Sequence, residues 1–197
     1  MNILVGCEES QAVTIELRKL GHPAFSCDTL DCSGGHPEWH LKMDVFQAIK
    51  SKNWDLIIVH PPCTKIAVSG NRWYGEGMPR HNERLEAVAW TQRLWNECLK
   101  ACDLVAMENP VGVLNKYGSF PDPSYIQPWQ FGHGECKKTG FWLHGLKPLE
   151  PTNIVDGRDQ RIWKMPPSKD RAKIRSKTYL GVAKAIATQW AGSCETV

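Results

Sequence analysis

Asp55-Leu56-Ile57-Ile58-Val59-His60-Pro61-Pro62-Cys63-Thr64 holds the most informative transition in the chain. Leu56 to Val59 is a short, uninterrupted apolar run, the pattern of a strand buried on both faces in a parallel sheet. Two prolines follow at once. Neither can donate to a strand ladder, so the strand ends there and the chain leaves the sheet along a stiff path. That exit fixes where the next side chain points. It puts Cys63 at the mouth of a cleft and not in the core.

Outward from this strand the chain alternates strand and helix. Asn2 to Val5 reads as a first strand, then a polar turn and an amphipathic helix from 11 to 20, closed by Gly21 where a left-handed residue is wanted. Residues 23–27 and 41–43 are further strands, with a short helix at 46–50. A long helix over 82–102 precedes a strand at 104–107 that ends at Glu108. Residues 117–128, rich in Pro, Ser and Gly, read as a loop, and 140–144 as a strand of an antiparallel edge pair. Residues 148–167 look extended, with Pro166-Pro167 breaking any helix, and a final amphipathic helix covers 178–190. The expectation is an α/β fold: one domain over 1–197, a mostly parallel sheet, helices on both faces and an antiparallel edge pair. Ligands of such sheets bind beyond the carboxyl ends of the strands. The polar groups that follow strands are Gly6 to Ser10, Asp28, Asp44, His60 to Thr64 and Glu108-Asn109.

Bulk properties narrow the function classes. No apolar run approaches a membrane span, and the N-terminus lacks a secretory pattern, so a cytoplasmic protein is expected. Eight cysteines then read as reduced thiols, with Cys98 and Cys102 as small apolar residues of the long helix. The net charge of +3 is uneven. Between 158 and 177 eight Lys/Arg face two Asp, so that segment carries +6 and the rest of the chain −3. A basic stripe of this kind suits a phosphate backbone, or is a solvated basic loop.

The chemistry concentrates in two places. Cys63 is a nucleophile candidate, since a thiolate at a cleft mouth can be favoured by electropositive surroundings. Met107-Glu108-Asn109-Pro110 ends the next major strand, so adjacent parallel strands would bring Cys63 and Glu108 to one rim. A carboxyl group there can hold the amino edge of a base and protonate a ring nitrogen, if desolvation keeps it protonated at some stage.

These two pieces resemble the cytosine-5 DNA methyltransferases. Pro61-Pro62-Cys63, with Ser69-Gly70 beyond, matches their nucleophile motif, and Glu108-Asn109-Pro110 approaches their Glu-Asn-Val. Leu4-Val5-Gly6-Cys7-Glu8-Glu9 stands where the family has Phe-x-Gly-x-Gly-Gly. Phe131-Gly132 and Phe141-Trp142-Leu143 are similar to its Gln-x-Arg-x-Arg region and the strand there, and Tyr179-Leu180-Gly181-Val182 to its closing motif. The chain also resembles short, phage-type members that lack a sizeable target-recognition domain. The resemblance implies a Rossmann-like methyltransferase sheet and S-adenosylmethionine as cofactor. It implies a cofactor site of Gly6, Glu8, Ser10, Asp28 for the ribose, Asp44 for the adenine, and Pro61. Cys63 and Glu108 would be catalytic. Asn109, Arg72, Arg80, Lys137, Arg171, Lys173 and Arg175 would contact DNA, single-stranded or weakly specified. The loop 71–80 would close over a flipped base, or is a surface loop.

The chain also departs from the family. Glu8-Glu9 replaces a glycine pair, either to meet the cofactor's ammonium group or to favour a helix N-terminus. Thr64 replaces a Gln, and Glu135, Lys137 and Thr139 stand for Gln, Arg and Arg. About forty residues between the Phe141 strand and the last helix leave no room for a sizeable target-recognition domain. Alternatives are a free nucleotide or RNA substrate, and a non-catalytic DNA- or partner-binding homologue. Methylation of an exocyclic amine, which also uses a Pro-Pro pair, is disfavoured by His60 and Cys63. Cys27, Cys32, His36 and His40 have zinc-compatible side chains, but their spacing matches no common finger and no metal is expected. Trp39, Trp73 and Trp129 are candidates for base stacking or for rim packing.

Overall fold

The computed structural model describes residues 1–166, 168–169 and 171–193, without the side chains of Ala172 and Lys173. Strands β1 (Ile3–Gly6), β2 (Ala24–Asp28), β3 (His40–Lys42), β4 (Leu56–Val59) and β5 (Val105–Pro110) run parallel. A short edge strand, β6 (Ser124–Ile126), pairs antiparallel with β7 (Thr139–His144), which pairs antiparallel with β5. The order across the sheet is β3-β2-β1-β4-β5-β7-β6. The chain thus forms the mostly parallel α/β sheet with an antiparallel edge pair expected from the sequence.

The helices are α1 (Ala12–Lys19), α2 (Val45–Ser51), α3 (Asn71–Tyr74), α4 (His81–Ala101), α5 (Leu114–Tyr117), α6 (Arg161–Lys164), α7 (Arg171–Ser176) and α8 (Leu180–Ile186). α8 continues into a π turn at Ala187–Ala191. Because side chains alternate along a strand, each strand feeds two cores. Leu4, Ile57, Val59, Val105 and Met107 pack with Phe46 and Ile49 of α2 and with Val88, Leu94, Trp95 and Cys98 of α4. Ile3, Val5, Ile58, Ala106 and Phe141 pack on the other face with Val13 and Leu17 of α1 and with Val182, Ala183 and Ile186 of α8. Burial on both faces is the physical reason the central strands read as unbroken apolar runs. Each fully buried aliphatic side chain contributes about 1.5–3 kcal/mol.

Two glycines have tight assignments. Gly21 adopts φ 86 just past α1, and its N–H bonds to the Arg18 carbonyl at 3.0 Å. Gly6 ends β1, where a Cβ would sit 2.8 Å from Val45 Cγ2 and 3.1 Å from Val59 Cγ1, so close packing requires glycine there.

The second half departs from expectation in two places. The Pro-rich stretch 117–128 holds β6, three residues long and flanked by prolines, as suits an edge strand. The segment 158–177 is not extended throughout. Asp159 Oδ1 accepts from the Arg161 N–H at 2.9 Å and starts α6, while the Arg161 guanidinium reaches Glu135 at 2.6 Å; α7 comes next. Basic side chains that read as a solvated stripe are thereby partly anchored. The seven described cysteines are free thiols, and no described helix is long and apolar enough to cross a membrane.

Candidate active site

Strand register assembles the site. Gly6 pairs with Val59 and Val59 with Met107, so one step further the ends of β4 and β5 bring His60 beside Glu108. The His60 N–H donates to the Gly6 carbonyl at 2.9 Å, which extends the ladder by one residue. His60 Nδ1 lies 3.1 Å from Glu108 Oε2, and the two side chains are only 11% and 13% exposed. Asn109 is buried, and its Nδ2 donates to the Pro61 carbonyl at 2.9 Å. That bond ties the end of β5 to the proline exit and so fixes Cys63 relative to Glu108. Among the described residues, His60 Nε2 and Asn109 Oδ1 are buried without a protein partner.

The electrostatics correct two expectations. Burial would hold Glu108 protonated, but the His60 hydrogen bond and the charges of Lys137 and His60 outweigh it, and its pKa lies below the ordinary carboxylate value. Burial likewise opposes charge on His60. The Glu108 hydrogen bond and the fields of Glu108 and Glu8 prevail, and its pKa is raised. The hydrogen bond and the mutual field thus favour the charged form of each partner, imidazolium on His60 and carboxylate on Glu108. Burial, followed by Glu108, pushes the Cys63 thiol above its ordinary value, against the weaker pull of Lys137 and Arg175. The electropositive surroundings expected at Cys63 exist but do not dominate. Lys137 and Arg175 are thus near enough for their charges to act on the thiol.

The loop after Cys63 is built, not loose. The Cys63 carbonyl accepts from the Ile66 and Ala67 N–H groups at 3.0 and 2.8 Å. Arg84 of α4, only 2% exposed, braces the chain from Lys65 to Asn71. Its Nε donates to the Lys65 carbonyl at 2.7 Å, Nη1 to Asn71 Oδ1 at 2.7 Å and Nη2 to the Ala67 carbonyl at 3.2 Å. The sequence signals Arg84 nowhere, and it marks His60 as a polar group at a strand end without revealing its Glu108 partner. Arg84 lay in an amphipathic helix where an arginine looks solvent-facing. Arg72 is exposed and lies over the exposed Trp73 ring, 4.9 Å from its centroid. Arg80 pairs with both oxygens of Glu83 and covers Tyr74, so its guanidinium is already engaged.

At the other end of the rim, Glu8 is buried and accepts from Val13 N at 2.6 Å, Thr14 N at 3.3 Å and Thr14 Oγ1 at 2.7 Å. Of its two expected roles, the structure shows the helix N-terminus, which this carboxylate occupies. Ser10 Oγ makes a long 3.5 Å contact with the Ala12 N–H. Cys7 and Gln11 take left-handed φ values of 59 and 57, each at a cost of about 1–2 kcal/mol. Asp28 ends β2 and accepts from Leu30 N at 2.9 Å; Asp44 caps α2 by accepting from Phe46 N at 2.8 Å. Each uses Oδ1 for this. Both stand on the carboxyl rim, as expected.

The remaining candidates divide. Lys137 Nζ reaches the Lys177 carbonyl at 3.5 Å. Arg171 and Arg175 lie half-buried on α7, and the Lys173 side chain lies outside the described residues. The Cys27, Cys32, His36 and His40 side chains do not converge: Cys27 donates to the Met43 carbonyl, His40 bonds Ser26 and Leu30, and His36 stacks on Trp39 at 3.8 Å. Among the described residues no three metal-ligating side chains gather. Trp129 carries Arg158 over its ring at 3.9 Å.

No family model matches the chain, and no curated protein matches its sequence. Among solved structures, a protein described as a DNA modification methyltransferase encoded within an E. coli prophage superposes with a TM-score of 0.54 at 14% identity, over 85% of this chain and 55% of that one. The fold is a methyltransferase fold. Weaker superpositions reach Spodoptera frugiperda DNMT2 (TM-score 0.44, 18% identity, 80% and 54% of the two chains) and S. pombe Dnmt2 (0.46, 13%, 83% and 53%). The chain spans about half the length of each of these proteins.

Proposed function

We propose that this protein transfers the methyl group of S-adenosylmethionine to carbon 5 of a cytosine in DNA through a transient bond from Cys63. One observation carries the reading: the exit of β4 that bears Cys63 and the end of β5 that bears the buried Glu108 adjoin and are tied by the Asn109–Pro61 hydrogen bond. A cysteine and a carboxyl so held are the two groups needed to add to carbon 6 of a pyrimidine and to grip its ring nitrogen and amine. The prophage enzyme's fold supports methyl transfer as the reaction class.

The carboxyl rim suits the cofactor. Asp28 and Asp44 each use Oδ1 on the backbone, and their other oxygens would take a ribose hydroxyl and the adenine amine. S-adenosylmethionine supplies an electrophilic methyl group there. Glu8 is engaged with the N-terminus of α1 beside this edge. Cys63 gives up its proton to solvent and adds to carbon 6 as the thiolate, Glu108 holds the ring nitrogen and amine, and the charges of Lys137 and Arg175 favour the thiolate. After transfer the carbon 5 proton leaves to solvent and the sulfur departs.

Nucleic acid as the substrate is supported by cations laid on aromatic rings near the rim, Arg72 on Trp73 and Arg158 on Trp129, and by Trp163 of α6, which is 70% exposed. Reaching a base in duplex DNA costs a few kcal/mol of unstacking, which a single strand avoids. The test is labelled methyl transfer to duplex DNA, single-stranded DNA, RNA and free cytosine nucleotides, with Cys63→Ala beside the wild type. Label at carbon 5 of DNA that vanishes in the variant is expected. Label confined to RNA or nucleotides would reassign the substrate. Cofactor binding without transfer to any of them would favour a non-catalytic DNA- or partner-binding homologue.

A further inference from the structure

The cytosine reading leaves one buried group of the site without a task. His60 sits between the proline exit and Glu108, with Nδ1 3.1 Å from Glu108 Oε2 and Nε2 buried without a protein partner among the described residues. The sequence contains no arginine to support the carboxylate from the 135–139 region, where Glu135, Lys137 and Thr139 stand. Glu135 is itself committed to Arg161 and Tyr179.

We propose, resting on the cytosine reading, that His60 is the positioning residue that stores the proton Glu108 delivers to the base. The N–H bond at His60 Nδ1 breaks and an O–H bond forms on Glu108 Oε2, leaving neutral imidazole and a carboxylic acid. Rotation about Cγ–Cδ, a soft torsion, presents that O–H to ring nitrogen 3. It is given up as the Cys63 thiolate pair forms the bond to carbon 6. When the sulfur leaves, the ring nitrogen returns the proton through Glu108 to His60. The overall reaction then releases only the carbon 5 proton.

The surroundings fit a stored proton. Glu108 on β5 and Glu8 in the loop after β1 favour positive charge on the ring, although burial raises the pKa of Glu8 itself; Lys137 ahead of β7 opposes it, and the Cys63 thiol lies three residues on. A lone buried carboxylate would have to take its proton from solvent through a closed site. A hydrogen-bonded imidazolium supplies it over one contact.

The test is the pH dependence of single-turnover methyl transfer to a cytosine oligonucleotide, for wild type and His60→Asn. Asn keeps a donor near the Nδ1 position and removes the titrating proton. In the wild type the rate climbs with pH until His60 titrates and then levels off, because each tenfold gain in thiolate is matched by a tenfold loss of imidazolium. In His60→Asn the rate near neutral pH falls about 100-fold, within the range for general acids, and levels off at lower pH, where Glu108 itself titrates. A variant that keeps the wild-type plateau, whether slowed uniformly or unchanged, overturns the relay while leaving the cytosine reading intact. A wild type that transfers no methyl to cytosine overturns both. Should His60→Asn fail to fold, NMR titration of labelled histidines answers instead. The His60 pKa drops in Glu108→Gln if the pair shares a proton, and equal values in both proteins overturn the proposal.

Discussion

Arg84→Met tests how the nucleophile loop is held. Among the described residues no carboxylate pairs with Arg84; its charge is met by the Lys65 and Ala67 carbonyls and by Asn71 Oδ1, at 2.7, 3.2 and 2.7 Å. Methionine fills much of the volume but strands these acceptors. A hydrogen bond to a charged group is worth about 1.5–3 kcal/mol net, while the wild type already bears the cost of burying a guanidinium. Three such bonds at the low end, less that desolvation, leave a loss of about 3 kcal/mol. For a chain of this length that lowers the melting temperature by about 6–12 °C. Methyl transfer should fall more than stability alone explains at a temperature where the variant is folded, because Lys65 to Asn71 lie directly beyond Cys63. Urea denaturation gives the first quantity and single-turnover kinetics the second. Arg84→Lys should recover part of both. A loss under about 1 kcal/mol with an unchanged rate would refute the bracing role.

Other consequences are equally direct. The lowered Glu108 pKa contributes stability above its ordinary 4.5, lost as pH falls through the folded value; the raised His60 pKa contributes stability below its ordinary 6.5, lost as pH rises through the folded value. The urea midpoint should therefore peak between these limits, and Glu108→Gln should flatten the curve; an unchanged curve contradicts the ion pair. Burial, then Glu108, raises the Cys63 thiol above 9.0, so its alkylation should accelerate about tenfold per pH unit up to that value. A rate that levels off near neutrality would show an activated thiolate instead. Gly181→Ala drives a Cβ into the Phe131 carbonyl oxygen where α8 begins. It should cost about 3 kcal/mol in denaturation experiments, the upper end for overpacking; wild-type stability would show that the contact yields.

Much of the fold is legible in the sequence because its signals are local. The run from Leu56 to Val59, its proline exit and the spacing of helices between apolar strands specify a parallel sheet without any long-range knowledge. Gly21 and its left-handed turn are readable for the same reason. β6 is not, since three residues between prolines carry no periodic signal and gain their pairing only from β7. Cys63 and Glu108 stand out because one follows a proline pair at a strand exit and the other closes an apolar run. His60 does not, although it sits in the same stretch. Its meaning depends on the Val59–Met107 register, which no single strand reveals. Glu8 illustrates the converse. Its sequence position allows two roles, and the geometry of Val13 and Thr14 accounts for the one at the helix N-terminus.

The most direct test of the central claim is the intact mass of the protein after incubation with S-adenosylmethionine and an oligonucleotide carrying 5-fluorocytosine. Fluorine at carbon 5 cannot leave as a proton does, so an adduct through Cys63 should be trapped. The account predicts a species heavier by the methylated oligonucleotide, with the modification mapped to Cys63 and absent in Cys63→Ala. Transfer of methyl to ordinary cytosine with no covalent species, or an equal adduct in the variant, would contradict it.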